Sequence, residues 1–138
     1  MSALDDALNE LSCYTLAHGD PAFIHQHVVD AAAAQNARET TKPIAITFAL
    51  AGLYLHLERH FTGRQVQLAH MALGKTKHRM PTFPLPADRG AITAADVMAV
   101  PPGPERDRAI DRWCESVWAA FHDSRPIVIE YLRERGFV

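Results

Sequence analysis

The stretch that decides the fold is residues 43–61, PIAITFALAGLYLHLERHF. Pro43 has no backbone N–H to offer, and the first turn of a helix has no use for one, so it marks a start and not a break. Behind it, Ile44, Ile46, Phe48, Leu50, Leu53, Tyr54, Leu55 and Leu57 put apolar side chains on nearly every side of a helix. A helix that is apolar all round is a buried one. Its apolar run, residues 44–57, carries Thr47, Gly52 and His56 and falls short of the roughly 20 residues a bilayer span needs. The stretch is therefore read as the central helix of a bundle, running to His60 or Phe61.

Working outward, residues 4–17 read as helix one, with Leu4, Leu8, Leu11 and Thr15 on one face. His18-Gly19-Asp20-Pro21 breaks it: glycine ends helix one, Asp20 is expected to cap helix two, and Pro21 opens that helix, which is read to about Ala37. Its run Ala31-Ala32-Ala33-Ala34 is strongly helical and lets neighbouring backbones come close. The link 38–42 is short enough that helices two and three are expected to be antiparallel neighbours. Thr62-Gly63-Arg64-Gln65 has the form of a capping box for helix four, which ends near Gly74. Residues 75–89 are basic and rich in proline (Pro81, Pro84, Pro86) and read as an extended surface segment. Thr93 caps a short helix over residues 94–98, and Pro101-Pro102-Gly103-Pro104 starts the last one. There Ile110, Trp113, Cys114, Val117 and Phe121 form an apolar stripe. Pro126 predicts a kink or break near Ser124. No strand alternation and no repeat is visible. The expectation is an all-α fold: one domain over residues 1–138, about five helices with a short helix and a proline-rich loop.

Composition narrows the function classes. The chain has 138 residues, 48% of them apolar, which suits one globular domain with a real core. With 14 basic against 16 acidic residues the net charge is -2, so nothing advertises nucleic acid. No segment is long and apolar enough for a membrane. The opening Met1-Ser2-Ala3-Leu4-Asp5-Asp6 is acidic where a secretory signal is basic. Only Cys13 and Cys114 are present, with no metal-knuckle spacing, and both are read as buried small hydrophobes. A cytoplasmic protein with reduced thiols is expected.

Eight histidines are many for this length. In His25-Gln26-His27-Val28-Val29-Asp30, residues three apart stand about 60° apart around a helix, so His27 and Asp30 share an apolar face. A buried carboxylate needs a partner, and an imidazole beside it makes either an acid–base pair or two metal ligands. In His56-Leu57-Glu58-Arg59-His60, the histidines stand about 40° apart, as in a two-histidine metal clamp, while Glu58 points away. His27, His56 and His60 are thus the candidate ligands for a divalent transition metal such as zinc, iron or nickel, and His27 with Asp30 the candidate catalytic pair. The plainer readings are a buried hydrogen-bonded pair at His27–Asp30 and histidines meeting a helix C-terminus at His56 and His60. No serine nucleophile motif, phosphate loop or Cys-x-x-Cys occurs. Two functions are therefore carried forward. One is a small-molecule or metal-binding bundle with a His/Asp site between helices two and three, of hydrolase or lyase type if an enzyme. The other is a homodimeric or partner-binding module in which helix three and the aromatic last helix make the interface.

Four groups of residues, in order, resemble an uncharacterised bacterial family of small helical proteins. They are Val29-Asp30-Ala31 with Gln35; Leu53-Tyr54-Leu55 with Leu57-Glu58; Ile92-Thr93 with Asp96-Val97; and Trp113 with Val117-Trp118-Ala119-Ala120-Phe121. The resemblance implies a single helical domain and no particular activity. The chain departs from the family pattern in having Asn36-Ala37 where His-Pro commonly follows the glutamine. It also has Ala45-Ile46-Thr47-Phe48 where a histidine commonly lies early in helix three.

Overall fold

A computed structural model of the chain describes residues 3–75 and 78–138. The described residues form an all-α, strand-free fold: α1 (Ala3–Ala17), α2 (His25–Gln35), α3 (Pro43–Arg59), α4 (Gly63–Gly74), the short α5 (Ala94–Met98), α6 (Pro104–Ala120), a 3-10 turn (His122–Ser124) and α7 (Arg125–Glu134). The middle of the basic run at residues 75–79 lies outside the described residues, as does the side chain of Leu4.

The central helix is α3. It packs against α2, α4, α6 and α7, and Leu50, Leu53 and Leu55 are sealed from solvent on three of its sides. Small residues set the closest approach. Ala31, Ala32 and Ala34 of α2 face an α3 that carries Ala49, Ala51 and Gly52, all buried, so the two backbones draw together. Trp113 of α6 and Phe121 just after it fill the far side of the core. Polar ties fix the register. Trp113 Nε1 donates to Gln35 Oε1 at 3.0 Å, and Gln35 Nε2 donates to the carbonyl of Ile92 at 2.8 Å. Arg89 closes the end of α2 by donating to the carbonyls of Ala34 and Ala37 at 3.2 and 2.9 Å. The extended 78–93 segment is thereby strapped across the bundle.

Local signals act where they stand. Thr62 and Gln65 make a reciprocal capping box, as do Thr93 and Asp96. The break expected near Ser124 is present: the chain leaves α6 at Phe121, makes a 3-10 turn and restarts with Pro126 in the first turn of α7. Two readings are corrected. Helix two starts at His25, not at Pro21, because Phe23 adopts φ 54°, a left-handed conformation no helix admits; Asp20 caps nothing, and Ile24 precedes the helix without a side-chain cap. Cys114 is buried as expected, but Cys13 is exposed, and both are free thiols.

Candidate functional site

The site is built at the end of α3. His60 takes φ 60°, and this left-handed residue folds the chain back so that the Phe61 amide donates to the Leu55 carbonyl at 3.0 Å. The turn also brings the Phe61 carbonyl to Nδ1 of His56, 2.9 Å away. The other nitrogen of that ring, Nε2, lies 2.8 Å from Oδ1 of Asp111 on α6. A carbonyl and a carboxylate both accept, so both nitrogens of His56 carry protons and the ring is an imidazolium. Burial works against that charge. The hydrogen bonds to Asp111 and Phe61, with the nearby Asp111 and Glu115 charges, outweigh it and raise the His56 pKa above the ordinary histidine value.

His27 lies flat against this ring. The centroids are 3.5 Å apart and the planes 16° from parallel. His27 is 5% exposed, and its imidazole makes no hydrogen bond among the described residues. Burial pushes its pKa down to about 3, the His56 charge pushes the same way, and Asp111 and Asp20 offset only part of this. The pair is therefore one neutral and one charged imidazole, face to face. Such a His27 is too weak a base to collect protons near neutrality, where a general base works best with a pKa close to the ambient pH. It keeps one N–H and one lone pair to offer a neighbour.

That neighbour space is a cavity of about 520 Å³ between the 18–24 turn, the α3–α4 junction and the start of α6. Its size falls within the range of small-molecule sites. Ala22, Ile24 and Phe61 supply apolar wall; Asp20, Asp107, Asp111 and four histidines, His18, His27, His56 and His60, supply the polar groups. One Asp20 oxygen is buried without a partner. Asp107 is held by the Tyr14 hydroxyl, which donates at 2.9 Å, and lies 3.3 Å from Nε2 of His18. The turn is seated by Gly63: a Cβ there would fall 1.8 Å from the Phe23 carbonyl oxygen. The Arg64 amide donates to the Ala22 carbonyl at 2.8 Å.

Of the residues singled out from sequence, His27, His56 and His60 line this one cavity, with His60 exposed at its edge. Asp30 does not join them. It sits deeper, 3% exposed, against Gly52, whose missing Cβ leaves the space its carboxyl occupies. One oxygen accepts from Gln26 Nε2 at 3.1 Å and the other has no partner. Burial raises its pKa well above the usual carboxylate range, the Gln26 bond opposing only in part. Glu58 points away from the histidines, accepting from Trp118 Nε1 at 2.7 Å and from Arg125. Sequence reading missed Asp111, 55 residues from its histidine. The available signal was Asp107 and Asp111, four apart beside the apolar stripe of α6.

As they are stacked, His27 and His56 are not arranged as a metal-binding pair. An imidazole binds a cation through an in-plane lone pair, and His56 has none left. Two rings stacked face to face also aim their nitrogens along parallel planes instead of at one point. Among the described residues no group of three or more His, Cys, Asp or Glu is placed to hold an ion.

No described helix is long and apolar enough to cross a membrane. The sequence model of a family of unknown function (DUF5946) matches residues 5–122. No curated protein and no solved structure matches the chain.

Proposed function

We propose, from the premise that the chain belongs to this family of unknown function (DUF5946), that it is a small-molecule binding domain whose ligand enters the cavity over the His27–His56 stack. One observation carries the reading. A nearly buried neutral imidazole, stacked on His56 but with neither ring nitrogen hydrogen-bonded among the described residues, lines a cavity of ligand size. The ring keeps one donor and one acceptor to offer into the cavity, and a ligand would engage them. The stack with His56 and the hydrogen bond from His56 to Asp111 hold the ring in place beforehand, which is how a site lowers the entropy lost on binding. Recognition is favoured over hydrolase or lyase chemistry because His27 is held neutral and Asp30 faces Gly52 instead of the cavity. The free Cys13 thiol at the surface supports a reducing, cytoplasmic setting.

An NMR-detected screen of small fragments tests this. Hits are expected to move the amides of Ile24, Phe61 and Gly63, and to be lost in Ile24→Trp, whose larger side chain fills the cavity, with circular dichroism checking that the helices are kept. Hits scattered over the surface, or undiminished in Ile24→Trp, would sink the reading.

A second reading, a homodimer, has its own observation. The middle of α3, Trp113 and Trp118 are buried in the chain's own core, but Leu68 and Met71, three apart on α4, stand exposed. They offer the apolar contact that a second copy would need.

A further inference from the structure

Resting on the binding reading above, we propose that the ligand is a small organic cation bearing a protonated amine beside an apolar body. The wall of the cavity contains three carboxylates and no lysine or arginine. Two of the carboxylates already face an imidazole: Asp111 lies 2.8 Å from His56 and Asp107 lies 3.3 Å from His18. Asp107 also accepts from the Tyr14 hydroxyl at 2.9 Å, which leaves Asp20. A carboxylate oxygen of Asp20 is shut away from solvent with no donor. Leaving such an oxygen unmet is costly, and more so when the group is charged. An ammonium group in the cavity supplies the matching charge to this carboxylate through its accessible oxygen. The same ligand can donate to the lone pair of His27, the second unpartnered group at the cavity.

An anion finds no such welcome. Both nitrogens of His56 are spent on Phe61 and Asp111. The start of α4, which would otherwise attract an anion, has its Arg64 and Gln65 amides bonded to the Ala22 carbonyl and the Thr62 hydroxyl. The apolar part of the ligand is set by Ala22, Ile24 and Phe61, with the imidazole stack as a flat floor suited to a ring or a short alkyl chain.

The test is a titration of the full chain, followed by amide NMR, with three probes of one shape: benzylammonium, benzyl alcohol and benzoate. Benzylammonium is expected to move the Ala22, Ile24 and Phe61 amides and to bind about tenfold or more tighter than benzyl alcohol, as one good charge-assisted contact provides. Its binding should weaken with added salt while that of the alcohol does not. Asp20→Asn should erase the preference and leave the alcohol unchanged. The salt comparison on the wild-type chain decides the matter even if Asp20→Asn folds poorly. Equal binding of alcohol and ammonium, or tighter binding of benzoate, overturns the cation assignment while the pocket stands. If none of the three moves those amides, the cation assignment and the binding reading fall together.

Discussion

At the scale of single residues, Asp30 carries the sharpest consequence. Its carboxyl is buried against Gly52, with one oxygen bonded to Gln26 and the other to nothing. Burial keeps it protonated well above the usual carboxylate range. A group whose pKa is higher folded than unfolded stabilises the fold below its unfolded value, and that contribution is lost as pH rises through the folded value. The wild-type chain should therefore lose stability on the alkaline side from this residue. Asn has nearly the same shape and no charge to bury. In urea unfolding, Asp30→Asn is expected to flatten that decline and to be more stable than wild type by about 1 kcal/mol or more at pH 8. Parallel profiles for the two proteins would show that Asp30 ionises freely in the fold. His27 acts with the opposite sign: its pKa is depressed to about 3, so its contribution is lost as pH falls below the ordinary histidine value. The spacing of His27 and Asp30 was legible as a shared buried face. Their separate fates were not, because Asp30 follows a gap left by a glycine on another helix.

At the scale of elements, the sequence reads best where the physics is local. Pro43, the Thr62 and Thr93 capping boxes and Gly19 all act through backbone geometry or bonds within a few residues, and each helix boundary they mark is where the chain turns. The start of α2 reads worst. Asp20-Pro21 is a good local start, yet the chain waits until His25, because residues 20–24 are docked as a turn on the first residue of α4. Gly63 makes that docking possible: a Cβ would strike the backbone of Phe23, which no side-chain rotation can relieve. Gly63→Ala is expected to cost about 2 kcal/mol or more in denaturant unfolding, even though alanine is the better helix former, and to move the amides around Ala22 and Ile24. A neutral or stabilising Gly63→Ala would mean the turn is not held against α4, and the cavity wall with it.

At the scale of the whole molecule, one core is closed around α3, and what is left outside it decides how copies meet. Leu68 and Met71 are apolar and uncovered on α4. If they form a self-association face, the sedimentation coefficient will rise with protein concentration and Leu68→Glu will hold the chain monomeric; a monomer at every concentration removes the homodimer reading. The all-α class, the central place of residues 43–61 and most helix ends were determined by the sequence itself, because periodicity, capping and proline geometry act over a few residues. The stacked imidazoles, the Asp111 that charges one of them, the turn seated on Gly63 and the exile of Asp30 from the cavity were decided only by the tertiary structure. Each depends on which face of one helix meets which gap in another, and on how burial and neighbouring charge divide protons between two identical side chains. Those are properties of distance and dielectric in the folded molecule, and no spacing along the chain encodes them.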